Sequence, residues 1–160
     1  SGTEKSNMKN SFFYFGYGSS LNLALIEFRI NEPVISFEKG KLKNYALRFN
    51  RQNPDGTARA NLIAAKGEYT LGIIYELPKT KFELLSQTEP FYNLIETDIE
   101  TDNGVKKAFT FMCPKLAESL FPQESYLKVI LEGAELHHFP IEYIELIKNL
   151  AQAKKQSHEK

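Results

Sequence analysis

Two places in this sequence carry residues suited to chemistry. The first is Glu89, in LLSQTEPFY, flanked by Leu84, Leu85, Pro90, Phe91 and Tyr92. Burial in apolar company disfavours a charged carboxylate and lifts its pKa from about 4.3 towards the ~6–7 useful to a general base. A glutamate that caps or solvates a helix end fits the same position, and residue types alone leave both readings open. The second is YFGYGSSL, residues 14–21. Gly16 and Gly18 let the backbone turn tightly between a strand and a helix, with Ser19 or Ser20 as the helix cap. The same geometry would aim free amides and a hydroxyl at one spot, which suits a carboxylate or a developing oxyanion.

Other chemistries lack their residues. GYGSSL has no third glycine for G-x-G-x-x-G, and neither Gly-Lys-Ser/Thr nor G-x-S-x-G occurs, so dinucleotide, Walker and nucleophile-elbow readings fall away. The three histidines, His137, His138 and His158, lie in the C-terminal third, where surface positions are expected, and no HExxH or paired-cysteine spacing is present. No metal or cofactor is expected. Cys113 is the single cysteine; with no histidine beside it, it reads as a core residue of a protein in a reducing compartment. Lys plus Arg and Asp plus Glu are both 20, and no stretch gathers a positive stripe, so nucleic acid is not an expected partner. Lys154, Lys155 and Lys160 read as a solvated helix end. No apolar run reaches the ~18 residues of a membrane span and the N-terminus lacks an apolar leader, so no membrane partner and a cytoplasmic location are expected.

The elements that must position these residues follow from periodicity. FFYFGYG reads as an aromatic strand, and SLNLALIEFRI as a serine-capped helix of about three turns closed by Pro33. KNYALRFN alternates Tyr45, Leu47 and Phe49 on one face; ARANLIAA and EYTLGIIYELP read as two further strands. KTKFELLSQTE is a short helix ended by Pro90. YNLIETDIET and VKKAFTFMC flank Asp102-Asn103-Gly104, a hairpin in which Asn-Gly would form a type I′ turn. Pro122 and Pro140 open two C-terminal helices. About six strands without regular βαβ alternation favour an α+β fold whose mixed sheet curls into a barrel. At 160 residues, one domain over 12–150 is expected, with flexible termini at 1–11 and 151–160.

With YFGYGSSL, LSQTEPFY and ESYLKVILEGAELHHFPIEYIELI in that order, the chain resembles the γ-glutamylcyclotransferase family, also called AIG2-like or BtrG-like. The family patterns are Y-x-x-Y-G-S-N-L, L-D-x-x-E-G, and Y-x-x-x-I-x-x-G-A followed by L-P-x-x-Y. YTLGIIYELP is similar to its V-x-G-x-x-Y-x-L strand. The resemblance implies a small mixed β-barrel with surrounding helices, a small-molecule γ-glutamyl substrate, no cofactor, and a monomer or homodimer. By position, Tyr17, Gly18, Ser19, Ser20 and Leu21 would line the substrate pocket and Asn22 extend it. Glu89 would be the catalytic acid/base and Tyr126 a substrate contact. The implied reaction is cyclisation of a γ-glutamyl amide to 5-oxoproline with release of the amine. The chain departs from the patterns at Ser20 for asparagine, Ser86 for aspartate, Pro90 for glycine and Gly16 for alanine. Ser20 keeps a donor with shorter reach, and Pro90 fixes the backbone beside the acid. The alternative reading is a member that keeps the pocket without catalysis, as a metabolite-binding or protein-interaction module.

Overall fold

Five strands wrap into a closed barrel: β1 (Ser11–Gly16), β2 (Ser36–Gln52), β3 (Ala58–Pro78), β4 (Asn93–Thr101) and β5 (Gly104–Met112), in the order β1-β3-β2-β4-β5. The computed structural model describes residues 10–158. β2 and β3 form a long antiparallel hairpin and β4 and β5 a shorter one. β1 adds antiparallel to β3, with Phe15 opposite Ile74. The seam closes where β1 meets β5 in parallel, at Tyr14 and Phe109, which makes the sheet mixed, as expected.

The strands number five rather than six because ARANLIAA and EYTLGIIYELP are one strand. Between Tyr69↔Lys43 and Ala64↔Tyr45 the register shifts. There Asn44 and Gly67 both take left-handed backbone, φ 67° and 86°, and the Gly67 amide donates to Asn44 Oδ1 at 3.0 Å. The ladder bends at this bulge without ending. The β4–β5 turn also differs from expectation: Gly104 is left-handed at φ 102°, whereas Asn103 is not among the positive-φ residues, so the turn is not type I′.

The helices are α1 (Leu23–Ile30), α2 (Phe82–Gln87), α3 (Glu124–Leu136) and α4 (Ile141–His158). No serine caps α1. Ser19–Leu21 forms a separate 3₁₀ turn, and α1 starts only after it, with Asn22 Oδ1 accepting from the Leu25 amide at 3.3 Å. The helix ends at Asn31 in left-handed conformation, φ 57°, two residues ahead of Pro33. Pro122 and Pro140 precede α3 and α4 rather than occupying their first turns. The interior is filled by Phe15, Leu62, Ile73 and Tyr75 from the strands and Leu21, Ile26 and Ile30 from the turn and α1. Tyr143, Ile147 and Ala151 of α4 join the same core, so packing continues into the segment after residue 150. The expected flexibility of 1–9 and 159–160, and the reading of Lys160, lie outside the described residues. No helix among the described residues is long and apolar enough to cross a membrane.

Candidate active site

The Tyr17–Leu21 segment leaves β1 at the barrel mouth and is held from three sides. Tyr14 Oη and Ser20 Oγ lie 3.0 Å apart, and Tyr75 Oη donates to the Ser20 carbonyl. Across the turn, His137 Nε2 donates to the Leu21 carbonyl at 2.9 Å. Helix α3 presses against the same residue: a Cβ on Gly133 would sit 2.7 Å from Leu21 Cβ and 2.8 Å from its carbonyl carbon. Gly16 is needed for a similar reason, since a Cβ there would meet Ser20 Cβ at 2.6 Å. The 3₁₀ turn is closed by Leu21 and Asn22 amides donating to Gly18 and Ser19 carbonyls at 2.9 and 3.1 Å. The earlier amides, those of Ser19 and Ser20, have no acceptor within the turn.

Opposite the turn lies Glu89, two residues past the end of α2, buried at 8 % exposure. Its Oε1 receives Arg59 Nη2 at 2.9 Å and Arg29 Nη1 at 3.4 Å. The expected apolar surroundings are corrected here. Phe91 points to solvent at 66 % exposure and Leu84 is also exposed, because neighbours in sequence radiate in different directions. Guanidinium groups from α1 and β3 reach the carboxylate instead.

The walls between these poles are tyrosines whose hydroxyls are tied to backbone. Tyr126 Oη accepts from the Ala60 amide at 2.9 Å, and Tyr92 Oη donates to the Ala60 carbonyl at 2.7 Å. Tyr17 Oη donates to the Phe111 carbonyl at 2.6 Å. Burial, the largest cause in each case, pushes the Tyr14 hydroxyl up to about 12 and those of Tyr17, Tyr92 and Tyr126 above their ordinary value. These hydroxyls stay neutral at physiological pH, and Glu89 and Arg59 are the acidic and the basic side chain at the pocket wall.

Of the sequence-expected residues, Tyr17, Gly18, Ser19, Ser20, Glu89 and Tyr126 share this pocket. Leu21 and Asn22 do not line it: Leu21 is wholly buried under α3 and Asn22 is spent on capping α1. Arg59, Tyr92 and Tyr14 line the pocket without having been singled out. Tyr14 carried a signal as the first aromatic of the turn segment, and Tyr92 as an aromatic flank of Glu89. Arg59 shows itself as an arginine between two small residues of a strand, Ala58 and Ala60, and nothing local marks Arg29. His137, expected at the surface, is buried and serves the turn. Cys113 is buried, as expected of a core residue.

The pocket holds about 30 Å³, roughly the room of a water or two. A larger groove of about 470 Å³, beside Arg51, Phe91 and Leu116, has no carboxylate on its walls. No group of three or more His, Cys, Asp or Glu among the described residues is arranged to hold a metal ion.

Comparison with known proteins shows related sequences and a shared fold. The model of the AIG2-like family matches residues 70–147, which includes Glu89, Tyr126 and Gly133. A γ-glutamylcyclotransferase of Bos taurus is 29 % identical over 146 residues, covering 83 % of this chain and 75 % of its own. One of Homo sapiens is 26 % identical over 149 residues, covering 88 % and 79 %. A solved γ-glutamyl cyclotransferase structure superposes with a TM-score of 0.76 over 86 % of both chains at 24 % identity, which bears on the fold. Motif order, barrel topology and relatives converge, and the chain is similar in sequence to γ-glutamylcyclotransferases and matches the AIG2-like family model over residues 70–147.

Proposed function

We propose that this pocket cyclises a γ-glutamyl amide to 5-oxoproline and releases the amine, with Glu89 as general acid/base. The observation that carries the reading is a buried carboxylate facing the Gly18–Ser20 turn across a pocket whose other hydroxyls are held neutral. The substrate's α-amine is the nucleophile. Glu89 takes a proton from the α-ammonium, the nitrogen attacks the γ-carbonyl carbon, and the new C–N bond closes a five-membered ring. The amide C–N bond then breaks as Glu89 returns the proton to the departing nitrogen, and the second proton left on the ring nitrogen passes by way of Glu89 to the released amine, which departs as its ammonium. Atoms and protons balance without water, metal or cofactor. General acid/base assistance of this kind contributes about 10²–10⁴-fold. The Ser19 and Ser20 amides hold the γ-glutamyl half and stabilise the oxyanion, where each donor is worth about 10²–10³-fold. Folding a flexible chain into an attack geometry supplies the entropic share.

Names borne by the relatives support the reaction class. Tyr126 and Tyr17 serve as neutral walls that fix Ala60 and Phe111 around the substrate. The test is mass-spectrometric detection of 5-oxoproline from γ-glutamyl amino acids, γ-glutamylamines and glutathione, with Glu89→Gln in parallel. Formation by the native protein and its loss in the variant is the expected result. Equal turnover by both proteins would remove Glu89 from the mechanism.

A further inference from the structure

Arg59 is the cation on the pocket wall, and it is incompletely used. Its Nη2 meets Glu89 Oε1 at 2.9 Å, while its Nε is buried with no hydrogen-bond partner. A guanidinium prefers a carboxylate bidentately, through two parallel N–H donors, yet Glu89 engages Arg59 through one oxygen. Arg29 holds that same oxygen at 3.4 Å and does not line the pocket. If Arg59 left, Glu89 would therefore keep an ionic partner. The guanidinium carbon also stands 5.4 Å from the centre of the Tyr126 ring, so the group lies over that ring at the wall of the pocket.

Building on the proposed cyclisation, we infer that Arg59 is a specificity-determining residue that exchanges its contact with Glu89 for the carboxylate of an amino-acid leaving group. Glu89 must reach the departing nitrogen, and Arg59 is the cation adjacent to Glu89. In an amino-acid leaving group the carboxylate is two bonds from that nitrogen, within reach of the same guanidinium. The turn amides of Ser19 and Ser20 lie across the pocket and serve the γ-glutamyl half. The exchange satisfies Nε and opens the pocket. It also removes one cation from Glu89 at the step where the carboxylate must accept a proton. A leaving amine without a carboxylate offers Arg59 nothing in return.

The experiment compares γ-glutamyl-L-alanine with γ-glutamylethylamine, which differ by that carboxylate alone, on the native chain, Arg59→Gln and Arg59→Lys. Native kcat/KM should favour the alanine compound by about 10–100-fold, the factor carried by a charge-assisted hydrogen bond. Arg59→Gln should erase most of that ratio, chiefly through KM, and Arg59→Lys should keep part of it, since it retains charge but not the fork. Equal losses on both compounds would overturn the inference. Calorimetric binding of the two compounds to the same proteins provides a readout that needs no turnover. If the native chain forms no 5-oxoproline, the cyclisation reading fails. In that case carboxylate-dependent binding that disappears in Arg59→Gln still upholds Arg59 as the carboxylate receptor, and its absence rejects it.

Discussion

Glu89 Oε1 lies between two guanidinium groups, and its Oε2 has no hydrogen bond or ion pair among the described residues. In the proposed cyclisation this asymmetry would divide the labour within one carboxylate, one oxygen anchored by the arginines and the other exchanging the proton. Glu89→Gln keeps an acceptor for the arginines and removes the proton carrier, so activity should fall by about 10²–10⁴-fold with the fold retained, as checked by circular dichroism and steady-state kinetics. Tyr126→Phe leaves the Ala60 amide without its acceptor, which should cost about 1–3 kcal/mol of stability, read as a shift in the urea midpoint. The place of Glu89 was readable in the sequence, because a glutamate stands where a short helix must give way to Pro90. Its charged company was not, since Arg29 and Arg59 come from 60 and 30 residues upstream and reach it only through the closed barrel. Ser20, the departure from the family pattern within the turn, spends its hydroxyl on Tyr14, which leaves the backbone amides and the Ser19 hydroxyl as the turn's donors.

At the scale of elements, the turn after β1 depends on α3 more than on its own residues. Leu21 is clamped between Gly133 and His137, so a helix distant in sequence sets the position of the pocket floor. Gly133→Val would drive a side chain into the Leu21 backbone. The expected outcome is a loss of turnover exceeding the loss of stability, measured by kcat/KM against melting temperature. A stability loss with unaltered kcat/KM in the remaining folded protein would contradict that role. Strand and helix identities were readable from alternation and proline placement, and their boundaries were less so. Two β segments merged because Asn44 and Gly67 bend the ladder at a bulge that resembles a break. The α1 cap passed from serine to Asn22 because the serines are taken up in a 3₁₀ turn, a distinction that composition does not resolve.

At the scale of the whole molecule, the barrel unites residues that are far apart in the chain, and burial of His137 couples its integrity to pH. Desolvation is the largest cause that lowers the His137 pKa below its ordinary value, opposed by its bond to the Leu21 carbonyl. The folded state therefore binds a proton less readily than the unfolded chain. Stability from this group should be fully present above about pH 6.5, the unfolded value, and decline as pH falls through the lowered folded pKa. Urea midpoints between pH 8 and pH 5 should show that decline, and it should be smaller in His137→Gln. A mixed barrel was foreseeable from strands without βαβ alternation. Its closure by a single parallel contact, Tyr14 to Phe109, was not, because pairing between first and last strands leaves no local pattern. The measurement that bears most directly on the account is the yield of 5-oxoproline from a panel of γ-glutamyl compounds, native protein against Glu89→Gln. Product is expected from the native chain alone; no product from folded native protein, or equal product from both, would overturn the role of this pocket in cyclisation.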